Sequence, residues 1–402
     1  MSDSYVSSVV AVSNLNYSHN SNDNVILSGN GSKSGNINLD FLKDVAGKLD
    51  LEQAAILLTL VKERTTQEDR FSFFPIQDMN KYTRATQMAA RLWSAGVIDF
   101  KEDLNDVLSL KPAEWQPLEV IFTFFSVMDG VATEVILDHL IVMADTLEEK
   151  LFYCHQASNE TSHAEAYGSM INDLIPAARR QKIFKAVSNF TSIKKIKDWV
   201  LSHVYANQGK KRLYAGLVFM EMNMFMPLFC IIFWYKYRFP GKLKQIMAIN
   251  EYIFGDESLH ATNGCGNYTS LPHDQKFSND EIHAIFAEGL EVMSLFVKDI
   301  FAGINLTGIN ADMVIDYTKF VINESLIMMG HVKMYDVDNP FPWMESHKFM
   351  NKSNFFETSV TDYSRFSVGT CLELAARRSG LITSAHIHNS DGEEEEEEEM
   401  MY

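Results

Sequence analysis

Two pairs of residues combine a carboxylate with an imidazole at a spacing of three: Glu160 with His163, and Glu257 with His260. On an α-helix, residues three apart lie on one face about one turn apart, so each pair can direct both side chains towards one point. Carboxylate oxygens and imidazole nitrogens together suit iron and manganese. One such pair often arises by chance, whereas the second copy indicates a metal site built from two helices.

Each pair is preceded by an acidic residue that stands alone in apolar sequence. Asp129 and Glu221 lie 31 and 36 residues before the two pairs. A buried carboxylate must be paired, protonated or metal-bound, because an isolated charge in an apolar interior is costly. Four antiparallel helices would bring all these side chains into one interior, as in dinuclear iron or manganese carboxylate proteins. The sequence therefore predicts a dinuclear site formed by Asp129, Glu160, His163, Glu221, Glu257 and His260.

The elements that must position these residues are helical. Apolar residues recur at helical spacing from Pro112 to about Ala144, from Leu147 to Leu174, and over 211–237, 241–262, 279–303 and 310–333. Thr146 and Ser278, each followed three residues later by glutamate, predict helix N-termini. We find no strand-like alternation of any length, no Gly-rich phosphate loop and no nucleophile elbow. The predicted fold class is all-α, a ferritin-like helical bundle with a dinuclear metal site in the core.

The amino-acid composition excludes several classes of protein. Hydrophobic residues make up 46% of the sequence, enough for a large core, and the formal net charge is −18, of which Glu393–Glu399 supplies seven. This acidic balance argues against a nucleic-acid-binding surface. The four scattered cysteines predict reduced thiols and a cytoplasmic location. The apolar stretch Leu217–Tyr235 contains Glu221 and Pro227, which favours a buried helix over a membrane span.

Three regions follow from these patterns. Residues 1–37 are rich in Ser, Asn and Gly and are predicted to form a disordered leader. Residues 38–345 form the ferritin-like helical domain, in which the basic cluster Arg179–Lys211 is expected to be a charged surface segment. Residues 346–402 lose helical periodicity and are predicted to form a flexible C-terminal tail for partner docking.

From about Arg70 to Tyr363 the sequence resembles the small, radical-generating β subunit of class I ribonucleotide reductase. The six predicted ligands match the family's ligands in type, order and spacing. Tyr167, four residues after His163, matches the radical tyrosine, and Phe225 and Phe229 match the phenylalanines of the radical pocket. The segment Trp93–Asp99 matches a family motif, although Val97 replaces its usual acid. Asp256 and the tail residue Tyr363 match further family positions.

The resemblance implies a function as well as a site. Two iron ions, or manganese or a mixed pair on the same ligands, would activate dioxygen and produce a tyrosyl radical on Tyr167. The radical would be transferred through Trp93, Asp256 and Tyr363 to a large catalytic subunit that reduces ribonucleotides to deoxyribonucleotides. The resemblance also implies a homodimer, and the acidic balance and the interrupted apolar stretch predict that it binds neither nucleic acid nor membrane. The polyglutamate run before Met400 is unlike the family's tails.

Two other classes use the same bundle and ligands. One is a dinuclear-iron oxidase, such as a hydroxylase or desaturase, which needs a substrate channel at the metals and no partner tail. The other is a ferritin-like metal-storage protein, which is usually shorter. Tyr167 together with Trp93, Asp256 and Tyr363 argues against the oxidases. Storage proteins lack the tryptophan and tail elements that this sequence has.

Overall fold

The computed structural model describes residue 73 and residues 76–205 and 209–345, and these ranges are helical without a strand. Contacts divide the protein into two units, Met1–Met79 and Asn80–Tyr402, and the contacts described below lie within the second. The α-helices are α1 (Met79–Ala89), α2 (Leu104–Ser109), α3 (Pro112–Val135), α4 (Ile141–Met143), α5 (Leu147–Leu174), α6 (Ala177–Asn189), α7 (Thr191–Val200), α8 (Lys210–Val218), α9 (Phe225–Arg238), α10 (Lys244–Thr269), α11 (Asn279–Ile300) and α12 (Ala311–Met328). The all-α prediction is confirmed for the described residues.

Shorter helical turns connect several of these helices within the described ranges. Three segments have π-helical hydrogen bonding, Ile136–Leu140, Leu201–Tyr205 and Phe219–Met224. Three more are 3-10 turns, Ala95–Val97, Phe100–Asp103 and His273–Gln275. The segment Phe219–Met224 joins α8 to α9 without a break and carries Glu221. A π segment inside a longer helix often marks a functional site, because it rotates the residues on either side of it.

The predicted helix starts have local causes. The side chain of Thr146 accepts a hydrogen bond from the backbone N–H of Glu149 at the start of α5. Ser278 and Glu281 form a capping box at the start of α11, each bonded to the other's backbone N–H. Pro112 begins α3, where the missing N–H of proline costs nothing.

The start of α10 is fixed by another part of the protein. Its first residues have no side-chain cap of their own, and Leu243 before them has a φ of 53°. Carboxylates near α2 replace the cap: Asp106 accepts from the N–H of Leu243 at 3.0 Å, and Asp103 accepts from the N–H of Ile246 at 2.8 Å. These bonds satisfy N–H groups that every helix leaves unpaired, and they fix α10 relative to α2.

The four helical segments with predicted ligands pack around one interior. α3 packs along α5, and α10 contacts α5, α8 and α9. Two stretches are long and apolar enough to cross a membrane by length and composition alone, Pro112–Met143 and Lys210–Arg238. The most apolar window of Lys210–Arg238 is 100% buried inside the fold, and that of Pro112–Met143 is 61% buried. A core position explains the apolar sequence around Glu221, as predicted.

Most basic side chains of the cluster Arg179–Lys211 are exposed, in line with the sequence expectation, and one of them also binds a buried acid. The described part of Arg179–Lys211 folds mainly into α6 and α7, with buried residues on one side of each helix. The guanidinium of Arg179 binds both oxygens of the fully buried Glu119 on α3. Its charge offsets that of a carboxylate that has lost its hydration. Sequence alone could not reveal this partner, because Glu119 lies 60 residues away.

Candidate metal centre and radical site

The six predicted ligands lie in one buried interior. α3 carries Asp129, α5 carries Glu160 and His163, the π segment carries Glu221, and α10 carries Glu257 and His260. Each of the six residues is at most 2% exposed. The spacing of three within each Glu-x-x-His pair places both members on the inner face of one helix. The acids from the π segment and from α3 complete the set from the other two helices.

These residues form two overlapping groups that could each hold a metal ion. One group comprises Asp129, Glu160, His163 and Glu257, and the other comprises Glu160, Glu221, Glu257 and His260. In each group, every residue offers one ligand atom, and these four atoms lie within 4.8 Å of one another. Glu160 and Glu257 belong to both groups. Each group thus has one histidine and one acid of its own, and the two carboxylates common to both groups could bridge a pair of ions.

The histidine rings are oriented towards the shared carboxylates. Nδ1 of His163 lies 3.0 Å from Glu257 Oε1 and 3.4 Å from Glu160 Oε2. Nδ1 of His260 lies 2.9 Å from Glu160 Oε1 and 3.1 Å from Glu257 Oε2. The other ring nitrogen of His163, Nε2, lies 3.2 Å from Asp256 Oδ2. A carboxylate behind the imidazole fixes its tautomer and leaves Nδ1 available to a metal ion.

The donor atoms themselves fit a metal ion. Several ligand oxygens and nitrogens are buried without a hydrogen-bond partner among the described residues: both oxygens of Asp129, Glu160 Oε2, His163 Nδ1, Glu221 Oε2 and Glu257 Oε1. Native structures rarely leave so many buried polar atoms unsatisfied in one place. Hard carboxylate oxygens with two imidazoles suit iron or manganese.

The electrostatics of the cluster agree with this fit. Burial raises the pKa of Asp129 and of Glu221 well above the usual range for carboxyl groups. Burial alone would lower the pKa of His163, but its hydrogen bond to Asp256 and the adjacent carboxylate of Glu160 raise that pKa well above the usual value. Without cations the cluster therefore retains protons, because four carboxylates cannot all stay ionised in one dry interior. Metal ions would replace those protons.

Tyr167 lies one turn beyond His163 and is fully buried. Its ring stacks on Phe125, with 4.9 Å between centroids, and Phe122 lies at 6.0 Å. Phe225 and Phe229 contact Phe125 at 5.2 and 5.0 Å between centroids. They therefore form a second layer of the apolar pocket.

The hydroxyl of Tyr167 donates a hydrogen bond to Asn250 Oδ1 at 2.8 Å. Burial and the nearby charge of Asp129 raise the pKa of Tyr167 well above its usual value, so the side chain is a neutral phenol.

Asp256 joins the cluster of predicted ligands to Trp93. Its carboxylate accepts hydrogen bonds from four side chains: Arg91 Nε at 2.5 Å, Trp93 Nε1 at 2.7 Å, Asn159 Nδ2 at 3.1 Å and His163 Nε2 at 3.2 Å. Burial alone would raise the pKa of Asp256, but the bond with His163 and the charge of Arg91 bring it below the usual value. Asp256 is therefore an ionised acceptor between the histidine and the indole.

The indole of Trp93 lies between the cluster of predicted ligands and the surface. Its ring stacks on His163 at 5.7 Å between centroids, and the ring of Tyr252, on α10, lies 6.5 Å away. Tyr252 is 45% exposed. Val97, which replaces the family's usual acid, lies in the 3-10 turn that follows Trp93. Tyr363 and the rest of the predicted tail lie outside the described residues, as does the predicted leader.

Sequence reasoning missed several residues that touch this site. Gln156 donates to Glu221 Oε1 at 3.0 Å and lies one turn before Glu160. Asn250 lies two turns before Glu257 on the same helix, and Phe125 lies one turn before Asp129. Helical spacing from the ligands could have identified these three. Nothing in the local sequence points to Arg91, because its partner Asp256 is 165 residues away.

Comparison with known proteins identifies the family. The family described as "Ribonucleotide reductase, small chain" matches residues 70–340, which is more than half of the sequence and includes all six predicted ligands. This chain belongs to the ribonucleotide reductase small-chain family. The ribonucleoside-diphosphate reductase small chain of Nicotiana tabacum is 29% identical over 305 residues, which cover 76% of this chain and 91% of that protein. Subunit M2 of the Danio rerio enzyme is 30% identical over 303 residues, 74% of this chain and 77% of that protein.

Solved structures support the fold of this ribonucleotide reductase small chain. The dimanganese(II)-NrdF of Streptococcus sanguinis superposes with a TM-score of 0.63 at 18% identity, covering 69% of this chain and 98% of that one. The Rnr4 homodimer of Saccharomyces cerevisiae gives a TM-score of 0.62 at 20% identity, covering 81% and 99%. The bundle is therefore the ferritin-like one predicted from the sequence. The protein is the small subunit of an oxidoreductase, ribonucleoside-diphosphate reductase.

Proposed function

We propose that this small subunit holds two iron ions and uses dioxygen to oxidise Tyr167 to a tyrosyl radical for a large catalytic subunit. Reduction of dioxygen to water takes four electrons: the two reduced ions held by the six ligands would supply two, an external one-electron reductant would supply one, and the phenol beside the ions would give up the fourth together with its proton. Manganese, or one ion of each metal, fits the same donor set. The large subunit would use the radical to reduce ribonucleotides.

One observation carries this proposal: the two ligand groups share Glu160 and Glu257, and a buried phenol lies within one turn of His163. A shared pair of carboxylates keeps two ions close enough to act on one oxygen molecule. The apolar layer of Phe122 and Phe125 around Tyr167 would exclude water and reductants from a radical.

The path from the metal centre towards the partner would begin at Asp256 and Trp93. The stacked rings of His163 and Trp93, with Asp256 bonded to both, form a short contact between the cluster and the less buried side of the domain. Tyr363 would continue the path near the large subunit, and residues 346–402 would dock on it. We further propose a homodimer in the cytoplasm, with residues 1–37 as a leader and 38–345 as the helical domain.

The test is magnetic resonance on metal-loaded protein. Purified protein supplied anaerobically with ferrous ion and then with oxygen should bind about two ions per subunit and show a tyrosyl signal. Tyr167→Phe should keep the ions and lose the signal. Tyr153→Phe is the matched control, because Tyr153 is another buried tyrosine of α5 whose hydroxyl binds Asn267 instead. A signal that survives Tyr167→Phe would place the radical elsewhere, and binding of a single ion would refute the dinuclear site.

A further inference from the structure

The carboxamide of Asn250 is the polar group bonded to the phenol of Tyr167. Asn250 lies on α10, fully buried, two turns before Glu257. Its Oδ1 accepts the hydrogen bond from the Tyr167 hydroxyl at 2.8 Å, and its Nδ2 donates to the carbonyl of Ile246 at 2.8 Å. Both ends of the amide are thus satisfied inside an apolar pocket, which is how buried amides are stabilised.

The second of these bonds determines which end of the amide faces the phenol. A backbone carbonyl can only accept a hydrogen bond, so the amino group of Asn250 must face Ile246. Its carbonyl oxygen must then face Tyr167. That oxygen is itself only an acceptor, so the 2.8 Å hydrogen bond exists only while Tyr167 carries its hydrogen.

Asp129, the ligand whose charge acts most strongly on the phenol, does not compete for this hydrogen. Both oxygens of Asp129 are without a hydrogen-bond partner among the described residues, so the hydroxyl of Tyr167 does not donate to them. The ring of Tyr167 is packed against Phe125 and Phe122. The O–H direction of Tyr167 is therefore set by Asn250.

We propose that Asn250 is a positioning residue that holds the Tyr167 phenol as a hydrogen-bond donor to itself and not to Asp129, and thereby stabilises the reduced phenol over the radical. This inference rests on the proposed radical role of Tyr167. A phenoxyl oxygen has no hydrogen to donate, so oxidation would leave two acceptor oxygens facing each other. The phenylalanine rings beside Tyr167 offer no replacement donor, and the radical is therefore not hydrogen-bonded to Asn250.

The first experiment needs neither metal nor radical. In metal-free protein labelled with [4-13C]tyrosine, the resonance of Tyr167 is identified by its loss in Tyr167→Phe. Asn250→Leu, which keeps the size and branching of the side chain, is expected to shift this resonance because the phenol loses its acceptor. Asn267→Leu is the matched control: Asn267 is a buried asparagine of α10 bonded to Tyr153, and its loss should leave the Tyr167 resonance in place. An unchanged resonance in Asn250→Leu would overturn the proposal.

The second experiment uses the loaded wild-type protein and so does not depend on any variant folding. High-field magnetic resonance after exchange into D₂O should show a tyrosyl radical without a strongly coupled exchangeable deuteron. A strongly coupled deuteron would show that a hydrogen-bond donor faces the phenoxyl oxygen. It would overturn the proposal that the carboxamide oxygen of Asn250 faces Tyr167. In Asn250→Leu, the ratio of radical to phenol at a fixed potential should rise about fivefold, the effect of losing one net hydrogen bond. If loaded wild-type protein forms no radical, the proposed function fails, and the metal-free measurement still decides the role of Asn250.

Discussion

The carboxylate of Asp256 fixes several side chains of the site through hydrogen bonds. Four donors converge on one buried carboxylate, and they come from the segment before the bundle and from α5. Charge-assisted bonds of this kind are stronger than neutral ones, so the carboxylate fixes both the His163 ring and the Trp93 indole. Trp93 itself lies in a loop between short turns, where Asp256 accepts a hydrogen bond from its indole and Ser162 donates one to its carbonyl.

Asp256→Asn should therefore separate metal binding from radical transfer. The amide offers one acceptor oxygen and brings an N–H₂ group against existing donors, so at least one of Arg91 and Trp93 loses its partner. We expect unfolding to become easier by about 1–3 kcal/mol and turnover with the large subunit to fall about 10- to 100-fold. Thermal unfolding and nucleotide reduction measure the two effects. Asp316→Asn, which changes a half-exposed pair with Lys319 far from the ligands in sequence, is the control and should alter neither. Full turnover by Asp256→Asn would remove Asp256 from the path.

The raised pKa of Asp129 predicts how the free energy of unfolding of the metal-free protein changes with pH, including the direction of the change. Burial raises its folded pKa well above the unfolded value of about 4. The stability that such a group contributes is fully present below the unfolded pKa and is lost as pH rises through the folded pKa, because the unfolded protein ionises first. Asp129→Asn cannot ionise. Its stability relative to wild type should grow with pH above about 4, by at most about 1.4 kcal/mol per pH unit.

Urea unfolding of both metal-free proteins between acidic and mildly alkaline pH measures this difference. A constant difference across the range would show that Asp129 titrates alike in the folded and unfolded states. The same substitution should weaken metal binding, since it removes a ligand. We therefore expect Asp129→Asn to be more stable than wild type without metal and to bind metal more weakly. This combination is typical of a residue that is kept for function at the expense of stability.

At the scale of elements, the π segment Phe219–Met224 depends on close packing with α11. A Cβ added to Gly289 of α11 would lie 2.2 Å from the ring of Phe219, the first residue of that segment. Trp199 and Phe286 pack on the same ring at 4.7 and 5.1 Å between centroids, so they restrict its movement. The absence of a side chain at Gly289 thus lets α11 approach the segment that carries Glu221.

Gly289→Ala should consequently destabilise the fold by about 1–3 kcal/mol, the usual effect of overpacking a core. In an unconstrained helix the same change would stabilise by up to about 1 kcal/mol. Gly168→Ala provides that comparison, because Gly168 is an exposed residue of α5 with no atom near its added Cβ. Chemical denaturation of the two variants should give changes of opposite sign. A stabilised Gly289→Ala would show that Phe219 can move aside.

At the scale of the whole molecule, the acidic C-terminus remains a prediction from the sequence. Glu393–Glu399 precedes Met400, Met401 and Tyr402, outside the described residues. We expect the apolar end to dock on the large subunit while the glutamates steer the encounter towards a basic surface. A docking segment that orders on binding loses conformational entropy, so micromolar or weaker affinity is expected, and salt should weaken it further.

Two truncations separate these roles. Deletion of the residues after Gly392 should leave metal content and radical unchanged but abolish turnover at limiting large subunit, and a peptide of those residues should compete. Deletion of Met400–Tyr402 alone should also abolish turnover. Replacement of the seven glutamates by glutamine should mainly lower the association rate and its salt dependence. Full activity of the longer truncation would leave the tail with a solubility role only.

The sequence by itself determined the helical class, the helix that carries each predicted ligand, and the pairing of glutamate with histidine on one face. These features depend on local periodicity and on local caps such as Thr146 and Ser278, which neighbouring residues decide. The resemblance to the family rested on the same order and spacing. The all-α fold and the family were confirmed, whereas the ligand roles and the radical role of Tyr167 stay predictions.

Only the tertiary structure decided how these parts combine. It makes Glu160 and Glu257 common to both ligand groups, stacks Phe125 rather than Phe225 or Phe229 on Tyr167, and brings Arg91 to Asp256. These contacts depend on how far each helix is rotated about its axis and on the π segment that turns Glu221 inward. Local sequence does not specify such rotations, because they result from packing between residues that are distant in the sequence.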